Sequence, residues 1–489
     1  TLQRSGTALL ALLVVLWQLY KRWRGLPRGV AYVPGHWLLG NLIDLARAVS
    51  KKVQHDLVNS WHDILGDTVC VILPGQPPLI DTIDPRNVEH ILKVKFDNYV
   101  KGSWFRDRLA DLLGDGIFNV DGADWIHQRK TASRMFTQNQ FKTHIWRVVK
   151  RNCTKVVQLL QGSPPDTTVD MFNIMNRFTL DTIGEVGFAK SIGSLDNADS
   201  PFLKSFDTAQ QISMQRFFFP LWQITRLLGL GDEGRARGHF KMLASYSRET
   251  VRELRANTNG EQGDSFVGLF MREAEKSNKP YDEKFMQDMV LNFLIAGRDT
   301  TAQSLSWVLY LVMQHPEVES MILQEIDRVC GDRPISFDEL NQLTYLQAVV
   351  NEGLRLYPSV PWDSKMALQD DTLPDGTFVP RNCVVQFNPY SMGRSKKIWG
   401  DDALDFRPER WIGKEQPSPY AFPVFNAGPR ECLGKRLAWV EMKTCLAELL
   451  RAFHFELSVP REAIKKDVQL TIGMSSGLPC RVTPRRASA

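Results

Sequence analysis

Residues 425–434 read Phe425-Asn-Ala-Gly428-Pro-Arg430-Glu-Cys432-Leu-Gly434. The run offers one thiol with no second cysteine nearby. Immediately beyond it, Leu433 to Leu450 repeats apolar residues at spacings of three and four, the signature of an amphipathic helix. Cys432 therefore stands at a helix N-terminus, where the helix dipole and unpaired N–H groups stabilise an anion and lower a thiol pKa. Gly428 and Gly434 lack a Cβ, which suits tight turning and close approach of backbone to a flat ring. Arg430, two residues before the sulfur, can reach a carboxylate on that ring, such as a haem propionate. These features together favour a haem iron held by sulfur.

The full spacing, with Phe425, Gly428, Arg430, Cys432 and Gly434 fixed, resembles the haem-binding loop of the cytochrome P-450 family of haem-thiolate monooxygenases. The resemblance extends over nearly the whole chain. It implies a mainly α (α+β) fold, a single large helical domain with small β-sheets. It also implies haem b, held non-covalently through an axial thiolate, with Cys432 as the metal ligand.

Glu352-Gly-Leu-Arg355 resembles the family's Glu-x-x-Arg pair. Alone the spacing carries nothing, since Glu249/Arg252, Glu325/Arg328 and Glu448/Arg451 share it as ordinary pairs on solvated helices. Only the copy at Glu352 is followed by Leu356-Tyr-Pro358 and then by Phe406-Arg-Pro408-Glu-Arg410-Trp411. Glu352, Arg355 and Arg410 are the implied buried, structural charge cluster.

An apolar helix spans roughly 284–314, with Ala296-Gly297-Arg-Asp299-Thr300-Thr301 in its middle. A glycine, an acid and two hydroxyls are locally unfavourable there, so a compensating function is expected. The segment resembles the family's oxygen-activating helix, which implies that Asp299 and Thr300 deliver protons to dioxygen. Arg298 and Asp299 interrupt it centrally, so it is not a membrane span. Trp125 and Arg129 match the family's Trp-x-x-x-Arg pair and imply contact with a haem propionate. Lys365 stands where many relatives carry arginine or histidine for the same purpose. Lysine supplies the charge without the planar fork.

Other patterns are rejected. Gly229-Leu-Gly231-Asp-Glu-Gly234 spells a nucleotide fingerprint, but no strand signal precedes it and Asp232 and Glu233 would repel a pyrophosphate. Asn152-Cys-Thr154 is a formal glycosylation sequon, unused if this part faces the cytosol. Seven cysteines without paired spacing exclude a secreted disulfide framework, and a net charge of +5 makes no case for nucleic acid. Lys435 and Arg436 are candidates for a basic docking face.

Ala8 to Trp17 is an unbroken apolar run followed by Lys21-Arg22-Trp23-Arg24. A retained signal anchor over residues 1–25 is expected, with the basic flank and the catalytic domain, 26–489, on the cytosolic side. Endoplasmic reticulum membrane is the implied location. Phe217-Phe-Phe-Pro220-Leu-Trp222 is a second apolar concentration, either core or a patch that dips into the bilayer. Helical patterns cover roughly 131–161, 170–186, 236–256, 282–314, 317–331, 345–356 and 434–453. Strand-like pieces fall near 68–73, 78–82, 377–387 and 468–482.

The implied chemistry is reductive activation of O2. Electrons must arrive from NADPH through a partner flavoprotein of the NADPH-cytochrome reductase type, because the chain carries no flavin or nicotinamide domain. Three segments, Phe96–Gly102, Gly116–Gly122 and Leu291–Gly297, resemble the plant-type fatty-acid ω-hydroxylase group. They imply hydroxylation at or near the terminal carbon of a long-chain fatty acid. Ala296 fills the place where another hydroxylase group carries a haem-linked glutamate, so the haem is expected to be non-covalent. A sterol, alkane or xenobiotic hydroxylase stays open as an alternative, as does a reductase-independent haem-thiolate peroxide isomerase or dehydratase. No side chain is assignable to a substrate carboxylate from sequence.

Overall fold

The computed structural model describes residues 25–137, 140–164, 167–197, 201–256, 265–277 and 283–485. Its organising element is the helix Glu283–Val312, about 45 Å long at 1.5 Å per residue. Buried side chains occupy every face of its middle, from Val290 through Leu305 to Val312, so this helix is encased rather than amphipathic. Around it pack the helices Met171–Phe188, Gly231–Ala256, Thr344–Leu356 and Lys435–Ala452. Gly297 lets the first of these approach: a Cβ there would lie 2.4 Å from Ile183 Cγ1. The Thr179 hydroxyl then donates to the Arg298 carbonyl at 2.9 Å. The glycine is thus explained by helix packing, not by chemistry.

The largest sheet has six strands in the order Ala31–Tyr32, Thr68–Val71, Leu79–Thr82, Val384–Phe387, Asp363–Ala367 and Tyr99–Val100. Its inner strand Asp363–Ala367 runs antiparallel to both neighbours, with Lys365 opposite Val385. That register buries Lys365 almost completely. Among the described residues, three smaller sheets, of three, two and two strands, accompany the helices of this mainly helical fold.

The expected helices at 170–186, 236–256, 282–314, 317–331, 345–356 and 434–453 all form, within a turn or so of the expected ends. Residues 131–161 do not make one helix. Gly122–Ser133 ends, and a π-turn Phe141–Ile145 leads into Trp146–Gln161. The piece at 377–387 divides into Phe378–Val379 and Val384–Phe387, which belong to different sheets. The anchor expected over 1–25 lies, but for Gly25, outside the described residues. Among the described residues no helix is long and apolar enough to cross a membrane.

The apolar run at 217–222 is core and surface at once. Phe217 and Trp222 are buried, whereas Phe219 and Leu221 are exposed together with Ile224, Leu227, Leu228 and Leu230. The rejected glycine fingerprint follows the helix Trp222–Leu228, not a strand, and Gly231 opens the next helix. Asn152 is fully buried and donates to Thr182, so the folded chain does not present the sequon.

Candidate active site

Cys432 lies three residues before Lys435, the first residue of the helix Lys435–Ala452, and its own N–H donates to the Phe425 carbonyl at 2.8 Å. That bond closes the loop quoted above. Six of the seven cysteines are buried; Cys432 alone is exposed. Its environment is nevertheless deep within the protein, because burial is the leading influence on its thiol. The accessible sulfur therefore faces an internal cleft rather than the outer surface. Burial pushes the thiol pKa up, opposed by the N–H groups of Gly434 and Lys435 and by Arg129. The expected lowering at the helix N-terminus is real as a contribution, but desolvation outweighs it.

The two glycines of the loop differ. Gly428 has φ +63°, and a Cβ would meet the Leu92 carbonyl oxygen at 2.4 Å, so tight backbone demands glycine. Gly434 has an ordinary φ of −82°, and a Cβ there would touch only Cys432 Sγ, at 3.8 Å. What its missing Cβ leaves clear is space beside the sulfur.

Cations converge on the same cleft. Arg129 donates to the Glu431 carbonyl at 2.7 Å, next to Cys432. Arg430 lies 4.5 Å over the Trp125 ring and donates to Asp121 at 2.7 Å and to the Val120 carbonyl. Lys365 bonds Asp363 at 2.7 Å, and Lys101 bonds the other oxygen of the same carboxylate at 2.5 Å. Asn426, in the cysteine loop, also donates to Asp363, tying this pair to the sulfur. Burial alone would push Asp363 up, but Lys101 and Lys365 together hold it well below the usual carboxylate range. Burial lowers Lys365 to about 7 against the pull of Asp363. Four cations, Lys101, Arg129, Lys365 and Arg430, thus face two carboxylates, Asp121 and Asp363. Even with Lys365 only partly charged near neutral pH, this surplus of positive charge is what a ring bearing carboxylates would match. With the clear space beside Cys432, the residues fit a haem.

In the central helix, Thr300 Oγ donates to the Ala296 carbonyl at 2.7 Å. The Thr300 carbonyl in turn accepts from Ser304 and Ser359, each at 2.7 Å. Hydroxyls that bond back one turn loosen a helix locally. Asp299 is buried and paired with Arg298 at 3.0 Å, and Arg298 reaches Asp207 on the helix Pro201–Phe218 at 2.5 Å. Burial raises Asp299 to about 6, with Asp207 adding and Arg298 opposing. Asp207 is half exposed, its side chain 51% accessible, so the chain of three charges runs from solvent to the helix interior.

Glu352 is fully buried. It accepts from Arg355 at 2.7 and 2.8 Å, from Arg410 at 2.8 Å, and from Arg407 N and Trp411 Nε1 at 2.9 Å. Arg355 and Arg410 donate onward to carbonyls of the loop 393–405. The three residues expected to cluster do so, and they pin that loop. The look-alike spacings behave differently. Arg328 touches Glu325 only at 3.8 Å from an exposed position, and Arg451 donates to carbonyls while Glu448 pairs with Lys150.

The family described as Cytochrome P450 matches residues 31–477. The chain belongs to the cytochrome P450 family. It is therefore an oxidoreductase of the haem-thiolate monooxygenase class. Similar plant proteins include Cytochrome P450 704C1 of Pinus taeda, 38% identical over 83% of this chain and 84% of its own length. Cytochrome P450 704B1 of Arabidopsis thaliana is 35% identical over 90% and 93%, and Cytochrome P450 94A1 of Vicia sativa is 36% identical over 76% and 75%.

Sequence reasoning missed Lys101, Asp121, Asp363, Ser304, Ser359 and Glu441. Lys101 and Asp121 stand at the margins of quoted segments, but loops carry no periodicity to single them out. Glu441 looks like a solvated helix residue. It is buried, its pKa pushed by burial up to about 8, with the Thr301 hydroxyl of the central helix opposing that rise.

Proposed function

We propose that this cytochrome P450 binds haem b non-covalently through Cys432 and hydroxylates the terminal, or ω, carbon of a long-chain fatty acid. The observation that carries the haem assignment is the excess of positive charge gathered around the one accessible cysteine. Arg129, Arg430, Lys365 and Lys101 would hold the propionates, and Trp125 would orient both arginines by stacking. Phe425, Gly428 and Gly434 shape the loop so that the sulfur stands clear. The bound haem supplies the activation of O2, with the thiolate favouring O–O cleavage.

The remaining work falls to this chain. Thr300 offers a hydroxyl whose proton is shared with the Ala296 carbonyl and can turn towards dioxygen. Asp299, its pKa raised by burial to about 6, is poised to exchange a proton around physiological pH. Arg298 and Asp207 connect it to solvent. Glu352, Arg355 and Arg410 are structural: they fix the segment leading to the cysteine loop.

The substrate reading rests on the likeness of three segments to plant-type fatty-acid hydroxylases, and the similar proteins at 35–38% identity come from plants. Electrons would come from NADPH through a reductase-type flavoprotein, with Lys435 and Arg436 near the cysteine as a docking face. The apolar run before Lys21 would anchor the chain in the endoplasmic reticulum membrane, with the catalytic domain cytosolic. Phe219, Leu221 and the exposed leucines beyond would rest on the bilayer. Incubation of haem-loaded enzyme with NADPH, reductase, O2 and a fatty acid should give the ω-hydroxy acid. Turnover of a fatty-acid hydroperoxide without NADPH or reductase would instead favour the isomerase class.

A further inference from the structure

Arg108 is a buried guanidinium, only 8% exposed, with no carboxylate at ion-pair distance among the described residues. Its Nε donates to the Arg216 carbonyl, Nη1 to the Trp104 carbonyl and Nη2 to Gln76 Oε1, at 3.1, 2.6 and 3.3 Å. All three acceptors are neutral. Arg216 beside it is differently placed, matched by Glu233 on two nitrogens and by Asp111 at 2.9 Å. Asp107 is near enough to raise the Arg108 pKa, but it is exposed and makes no ion pair with it. Burial lowers Arg108 to about 10. A buried charge without a counter-ion costs several kcal/mol, so a fold that keeps one invites an anion to complete it.

The guanidinium lines a cleft of about 400 Å3, between the Gly75–Pro77 turn, the helix Gly102–Leu113 and the segment Pro220–Gln223. Aromatic side chains pack behind it. Arg108 lies over Trp104 at 4.6 Å and over Phe217 at 5.6 Å, and the Phe217 ring meets Trp362 at 5.5 Å. Three residues before Trp362, Ser359 bonds the Thr300 carbonyl. The contour from Thr300 through Ser359, Trp362 and Phe217 to Arg108 is at most about 30 Å, counting ~3.4 Å per extended residue and the side chains between. A long-chain acid fits within that bound.

We infer that Arg108 is the anchor for the substrate carboxylate, holding a fatty acid by its head while the far end of the chain reaches the central helix at Thr300. The inference rests on the fatty-acid reading above and names the residue that selects an acid over other lipids. Gln76 and Trp104 Nε1, themselves bonded at 3.1 Å, orient the site. An end held at Arg108 also favours oxidation at the opposite end.

The test is a calorimetric titration of the haem-loaded enzyme near neutral pH with hexadecanoic acid, its methyl ester and hexadecanol. Wild type should bind the acid roughly tenfold to hundredfold more tightly than the ester or alcohol, the range of a hydrogen bond to a charged group. Arg108→Gln should lose that preference while binding ester and alcohol unchanged, and Arg108→Lys should keep part of it. A preference for acid that survives in folded Arg108→Gln overturns the anchor and leaves the fatty-acid reading standing. So does wild type that binds acid, ester and alcohol alike, a comparison that needs no variant. Wild type that binds none of the three overturns the fatty-acid reading and the anchor with it.

Discussion

Replacing Glu441 by glutamine should flatten the dependence of stability on pH. Glu441 sits inside the protein between the cysteine helix and the central helix, 1% exposed, with a pKa raised by burial to about 8. In an unfolded chain a glutamate titrates near 4.3. Below about pH 4 both states carry the proton and the group makes no demand. As pH rises the unfolded chain ionises freely while the folded one holds its proton, so stability is lost until pH passes about 8. At 1.36 kcal/mol per unit, the gap amounts to about 5 kcal/mol at most, and to a few kcal/mol once the surroundings relax. Glutamine has the same shape and cannot ionise. Urea midpoints should therefore show the variant gaining a few kcal/mol on wild type between about pH 5 and pH 8, with unchanged slope m. Parallel curves for the two proteins would refute the reasoning, because Glu441 would then titrate alike in both states.

The other expectations concern the cluster, the glycines and the proton path. Glu352→Ala strands Arg355 and Arg410 and should cost about 3–5 kcal/mol in urea unfolding, whereas Arg328→Ala, with the same spacing to a glutamate, should stay within about 0.5 kcal/mol. Gly434→Ala should leave that stability nearly unchanged yet reduce the ratio of haem to protein. Gly428→Ala, forced into a left-handed backbone against Leu92, should destabilise by about 1–3 kcal/mol. Thr300→Ala should keep the spectrum but lower the product formed per O2 consumed; unchanged coupling would remove Thr300 from the path. Product formation that falls as pH rises through about 6, the range in which Asp299 loses its proton, should lose that inflection in Asp299→Asn.

Much of this site was legible because its chemistry is local. The loop around Cys432, the Glu352 pair and the Ala296–Thr301 segment are contiguous motifs whose spacing survives in a linear reading, and long periodic helices such as Glu283–Val312 declare themselves. What stayed hidden is brought together by sheet register and loop closure. The strand Asp363–Ala367 reads Asp-Ser-Lys-Met-Ala, poor in β-branched residues, and its place inside a sheet is set by its neighbours. Lys365 acquires its meaning only once Asp363 and Lys101, 262 residues apart in the chain, share a bond. Ser359 and Glu441 are ordinary polar residues until burial and a partner on the central helix distinguish them. The helix Gly102–Leu113, which carries Arg108, is short and rich in polar residues, so it does not stand out between loops.

The most direct measurement of the central claim, a haem iron ligated by Cys432, is the difference spectrum of the reduced, haem-loaded protein with carbon monoxide. Wild type should give the red-shifted Soret band of a thiolate-bound carbonyl, and Cys432→Ala should abolish it. A band typical of imidazole ligation in wild type, or a thiolate-type band that persists in Cys432→Ala, would contradict the account.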